Sequence, residues 1–183
     1  MMRSLLITLS LASAVSPLRG TTLERLPLDE MARKSTAIVR ARVVGTSGVL
    51  RGADVYTIYR IEIQESWKSS PKSGSQSNPV QVAVPGGVAG GLRQMVAGAP
   101  SLHVGEEYLM FLWTSRSGLT QLIGLSQGLF NVQHNGAGDA AATRAAASEL
   151  MLDASGRAVK DEAVSMKLSD LKAQVKRSLS GDK

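Results

Sequence analysis

Residues 124–128 read GLSQG, and two glycines spaced around Ser126 formally match a nucleophile elbow. Such an elbow works because a sharp turn from strand to helix lifts the serine hydroxyl toward a histidine and an oxyanion hole. Here Ser126 is followed by LFNVQ, a strand pattern, and His134 stands only eight residues on. The elbow order expects an acid and then a distant histidine. The segment therefore reads first as a Gly-flanked turn between strands, with a serine hydrolase using Ser126 as the alternative.

A metal site would need His103 with Glu106 or Glu107, joined by His134, since these are the two histidines and the chain has no cysteine. Without thiolates or an H-E-x-x-H pair the ligand set is thin, and HVGEEY reads more simply as a turn into an apolar strand. No metal and no cofactor are expected.

The third chemical candidate is VPGGVAGGLRQMVAGAP, residues 84–100. It lacks the G-K-[ST] of a phosphate loop and has no parallel β-α-β unit around it, so a nucleotide cradle is not expected. Gly86, Gly87, Gly90 and Gly91 followed by Arg93 and Gln94 suit a long mobile flap, with Leu92, Met95 and Val96 folding back. Long loops of this kind often carry function. These six residues are one candidate binding surface, and the strand arginines Arg40, Arg42 and Arg60 are the other.

The elements that must position these groups are strands. AIVRARVV alternates Val39, Ala41 and Val43 against Arg40 and Arg42; VYTIYRIEIQESW alternates Tyr59, Ile61, Ile63 and Trp67 against Arg60, Glu62 and Gln64. Between them GTSGVLRGAD reads as a loop or a flared hairpin end, and after Trp67 KSSPKSGSQSNP is a polar connection. VQVAV is a third strand. YLMFLW is apolar throughout and should be buried on both sides or close a barrel; LTQLIG and LFNV complete five or six strands. Ahead of them LPLDEMARKS places Pro27, then Asp29 and Glu30, then Arg33 and Lys34, which predicts a helix over 28–34. Behind them an Ala-rich run predicts a helix starting near Ala140. SDLKAQVKRSL then predicts an amphipathic helix with Leu168, Leu171, Val175 and Leu179 as its stripe and Ser169 as its cap.

Every aromatic residue falls within 56–130, which places the packed domain in the middle of the chain. The division expected is a signal peptide at 1–14, an N-terminal segment with a short helix at 15–35, an OB-like β-barrel at 36–134, and an Ala-rich linker with the amphipathic helix at 135–183. The signal rests on Arg3, the apolar run 5–11, and Ala12 and Ala14 as an A-x-A site. That run falls well short of the ~20 residues a spanning helix needs, so export to the periplasm or beyond is expected, with no membrane span in the mature chain. The lack of cysteine leaves burial and strand pairing to hold the fold. The formal charge of +6 is modest and spread, weak support for nucleic acid.

The succession IYRIEIQESWK, VQVAVPGG and GEEYLMFLW resembles the netrin-like module of tissue inhibitors of metalloproteinases across about residues 37–132. It also resembles uncharacterised exported bacterial proteins sharing PGGVAGG, GEEYLMFLW and GLSQGLF. The first resemblance implies a five-stranded OB-type barrel. Those inhibitors chelate zinc through an N-terminal cysteine and are braced by disulfides; this chain has neither, so the resemblance implies fold and not inhibition. The expectation is thus a mainly β, five- to six-stranded antiparallel OB-like barrel with a short N-terminal helix and a C-terminal helical appendage. Its expected role is an exported, non-catalytic binding module for an envelope or secreted protein. A basic OB-type binder of glycan or nucleic acid is the further alternative, nucleic acid being disfavoured by export.

Overall fold

The computed structural model describes residues 21–69, 80–134, 136, 138 and 140–181 of the chain. The expected signal at 1–14 and most of the polar connection after Trp67 lie outside the described residues. The described chain opens with β1 (Thr22–Glu24) and α1 (Leu28–Lys34). Helix α1 has the predicted bounds. Asp29 pairs with Arg33 at 2.8 Å and Glu30 with Lys34 at 2.6 Å, each one turn apart, while Met31 and Ala32 are buried on the other side.

Two long strands follow, β2 (Ala37–Arg51) and β3 (Asp54–Lys68), joined by Gly52 and Ala53 into one antiparallel hairpin. GTSGVLRGAD is thus the far end of that hairpin. Next come β4 (Val80–Pro85), the short pair β5 (Gly87–Ala89) and β6 (Leu92–Gln94), then β7 (Glu107–Thr114), β8 (Thr120–Leu122) and β9 (Leu129–Gln133). The chain finishes with β10 (Ala141–Arg144), β11 (Leu150–Leu152), β12 (Ala158–Val159), β13 (Val164–Lys167) and α2 (Leu168–Ser180).

The fold is mainly β. Among the described residues eight strands form one mixed sheet in the order β13-β10-β9-β7-β2-β3-β4-β8, and an added pairing of β7 with β8 closes β2, β3, β4, β8 and β7 into a five-strand ring. Closure is narrow: β8 meets β4 in parallel through the single register pair Ala83 and Gln121. The ring closes because one edge of β7 is shared, Tyr108–Met110 pairing with β9 and Leu112–Thr114 with β8.

Alternation along the strands divides the core in two. Val39, Ala41, Val43, Tyr59, Ile61, Val82, Val84, Tyr108, Met110 and Leu112 fill the ring, with Leu102 from the β6–β7 connection packed among them. The opposite face of β7 sends Leu109 and Phe111 toward α1 and α2, where they join Ile38, Phe130, Ala142, Leu171 and Val175. The apolar β7 is therefore both two-sided and part of the closure. Trp113, opposite Gln121, lies outside both clusters and is 44% exposed.

Several expectations are corrected. The Ala-rich run does not begin a helix near Ala140: residues Ala141–Arg144 are a strand between β9 and β13. The helix propensity of alanine is a weak prior, and here it yields to a sheet edge with unpaired backbone and a site where Ala142 is fully buried. Ser169 is not the cap of α2, because Lys167 holds that position and β13 runs directly into the helix, the Leu168 N–H donating to Ala140 O at 2.7 Å. Trp67 does not share a cluster with Tyr59 and Ile61. The register slips between Ile38 and Val39 and again between Arg40 and Ala41, each slip adding a residue on β3 and reversing the face beyond it. Trp67 consequently packs against the helix-side cluster.

Candidate functional site

The turn at 124–128 is built by backbone contacts. The Phe111 N–H donates to Gly128 O and the Ile123 N–H to Phe111 O, at 2.8 and 2.9 Å, so the turn plugs the gap where β7 passes from β9 to β8. A Cβ on Gly128 would stand 2.7 Å from Ile123 O, which explains that glycine, and Leu125 takes a positive φ of 59° to complete the reversal. The buried side chain of GLSQG is Gln127: its Oε1 accepts from the Leu26 N–H and its Nε2 donates to Glu24 O, both at 2.9 Å. Ser126 is followed by β9, and His134 turns to Glu107.

Of the residues considered for a metal, Glu107 and His134 meet, while His103 and Glu106 are engaged by Tyr108. The His103 N–H donates to the Tyr108 hydroxyl at 3.0 Å, and that hydroxyl donates to Glu106 at 2.9 Å, locking the β6–β7 connection onto one end of the ring. Burial raises the Tyr108 pKa and the Glu106 carboxylate adds to it. Among the described residues no three His, Cys, Asp or Glu side chains assemble as a metal site.

Glu107 instead anchors a charge ladder that sequence reasoning missed. Its side chain is 6% exposed, yet it accepts from Arg40 Nη1 at 2.6 Å, lies 3.3 Å from His134 Nε2 and 3.8 Å from Arg42 Nη2. Arg40 continues the ladder to Glu65 at 3.2 Å and to Gln64, and Glu65 pairs with Lys172 on α2. Burial alone would raise the Glu107 pKa, but Arg40 and His134 outweigh it and hold the carboxylate below its ordinary value. Lys172 above all, with Arg40, lowers Glu65; burial works against Arg40, and Glu107 and Glu65 still raise it. Arg42, Glu106, Glu107, Asn131, Gln133 and His134 line a shallow cleft of about 300 Å³ beside this ladder. Arg40 and Arg42 are thus brought together, whereas Arg60 lies farther along β3 with its guanidinium over Gly45. The signal for the ladder was present only as an acid at the head of an apolar strand.

The glycine-rich stretch is a second hairpin, not a flap. Gly90 and Gly91, with φ of 56° and 76°, make the two-residue reversal between β5 and β6, the conformation for which Gly-Gly is suited. Side chains and backbone fasten it to the long hairpin: Val55 N–H donates to Gln94 Oε1 at 2.6 Å, Thr57 Oγ1 to Gly86 O at 2.9 Å and Gly86 N–H to Val55 O at 2.7 Å. Val88 O sits so close to Gly48 that a Cβ there would fall 1.9 Å away. Gln94 and Gly86 are therefore spent on the scaffold.

What the hairpin leaves outward is apolar. Cross-strand partners share a face, so Val88 and Arg93 lie opposite the face carrying Gly87, Ala89, Leu92 and Gln94. Leu92 and Met95 do not fold back: they are 53% and 88% exposed, and Val88 and nearby Leu50 are also exposed. Leu102, from the connection after β6, is instead the side chain of this region that joins the ring cluster.

No protein-family model matches the chain, and no curated protein matches it in sequence.

Proposed function

We propose that this chain is an exported, non-catalytic interaction module built on an OB-type barrel, with the β5–β6 hairpin as its contact surface. The ring supports the barrel reading: numbered within the ring, its strands run first, second, third, fifth, fourth, with the last two exchanged as in a partly open Greek-key barrel. Buried side chains fill the ring, which directs the reading to the surface. One observation carries the reading. A hairpin whose polar groups are fixed to the scaffold holds Val88, Leu92 and Met95 in solvent, the reverse of what burial alone would select.

The test is retention on an immobilised chain exposed to envelope and secreted fractions, comparing wild type with Val88→Asp. Stoichiometric protein, glycan or lipid retained by the first and lost by the second supports the reading. Identical retention by both overturns it. A second reading, glycan contact at the cleft beside Glu107, is favoured by the Asn131 and Gln133 side chains on its rim; Asn131→Ala would then reduce retention and Val88→Asp would not.

A further inference from the structure

The exposed hairpin raises the question of what covers it, and two features of the molecule bear on the occupant. The first is charge. Arg93 shares the outward face with Val88, Arg51 adjoins Leu50, and residues 80–105 contain no aspartate or glutamate; Asp54, paired in register with Arg51, is the acid at the tip of the neighbouring hairpin. The second is extent. A second copy or a stable protein partner needs roughly 800 Å² per side, usually with aromatic anchors. Four partly exposed aliphatic side chains, with no Trp, Tyr or Phe among them, fall short of that.

From these we infer that the exposed aliphatic side chains of the hairpin and its neighbour, Val88, Leu92 and Met95 with Leu50, rest on an anionic lipid surface, with Arg51 and Arg93 beside them. The inference rests on the reading of the hairpin as a contact surface and names its partner. Aliphatic side chains enter the boundary between headgroups and acyl chains, while arginine meets lipid phosphate. Insertion of a few side chains needs no large complementary interface. Among the described residues no helix is long and apolar enough to cross a membrane, and contact of this kind requires none. The rigid fastening of the hairpin through Gln94 and Thr57 means that little order must be gained on contact.

The experiment is flotation of the 183-residue chain with vesicles of phosphatidylcholine alone or with added phosphatidylglycerol, at low and high salt. The double variant Leu92→Asp/Met95→Asp and the single variant Arg93→Glu are run beside the wild type. Expected are flotation with the anionic vesicles, a fall of about tenfold or more in apparent partition for either variant, and a loss with salt for the wild type. No flotation, or flotation equal in all three chains, overturns the lipid assignment; the second outcome would place binding in the N-terminal apolar run. Concentration-dependent dimerisation abolished by the double variant would assign the tip to a second copy instead. If vesicles fail while retention of an envelope protein or glycan still depends on Val88, the lipid inference falls and the interaction reading stands. Unchanged melting temperatures of the variants show that the fold is intact throughout.

Discussion

The cleft beside Glu107 and the tip of the β5–β6 hairpin invert each other. At the first, charged groups turn inward and satisfy one another, leaving a shallow polar depression. At the second, backbone and amide groups turn inward and satisfy one another, leaving aliphatic side chains outside. Charge drawn inward costs desolvation and is recovered only by partners, so the ladder is best understood as a cross-brace between β2, β3, β7 and α2. Apolar surface pushed outward has no compensation among the described residues, and this asymmetry is what directs attention to the hairpin.

The largest effect should come from breaking the brace at its centre. Arg40→Ala leaves Glu107 mostly buried beside a half-exposed Arg42 and His134, and should destabilise by about 3 kcal/mol, the lower end of what removing one partner of a buried pair costs, as read by urea unfolding. Next is Gly48→Val, where the added Cβ meets Val88 O. It should cost about 1–3 kcal/mol and detach the small hairpin, seen as loss of hydrogen-exchange protection at Val55 and Gly86.

Acid separates the two regions without any mutation. Glu107 and Glu65 have folded pKa values below their unfolded ones, so the stability they contribute is full above the ordinary glutamate value and is lost as pH falls through the depressed folded values. Urea midpoints measured from pH 6 down to 3 should therefore fall more steeply for wild type than for Glu107→Gln, while Val88→Asp should track wild type on the acid limb. Lys172→Ala, at the half-exposed end of the ladder, should cost no more than about 1 kcal/mol. Smallest in stability is Met95→Asp, expected within about 0.5 kcal/mol of wild type because the side chain touches little; its effect belongs to contact.

Local patterns were legible where one force decided the outcome. Helix α1 carries its own start and stop in Pro27, its acids and its bases, and the alternation of Val39, Ala41 and Val43 identifies a ring face. The two-sided burial of β7 follows from its unbroken apolar run. What the sequence hid was decided by distant partners. The slips that send Trp67 to the helix side leave no mark in a period-two pattern, and Ala141–Arg144 becomes a strand because β9 and β13 offer it two edges. In the glycine-rich stretch the Gly-Gly reversal was marked by composition, but the exposure of Leu92 and Met95 follows from how the hairpin is fastened to β2 and β3, partners far along the chain. Glu107 was grouped with His134, which it does meet, but its strongest partner is Arg40 on another strand, which spacing along the chain does not reveal.

The joint between the two chain ends has a kinetic consequence. Strand β1 runs parallel to β11, Thr22 opposite Leu150, and the Gln127 amide clasps residues 24 and 26 across more than a hundred positions. A chain synthesised from its N-terminus thus carries its opening strand without a partner until the ribosome has passed residue 152. Contacts of such sequence separation make folding slow. The ring strands can pair before that point, so the β1–β11 joint is the stitch set last, after the core it closes over.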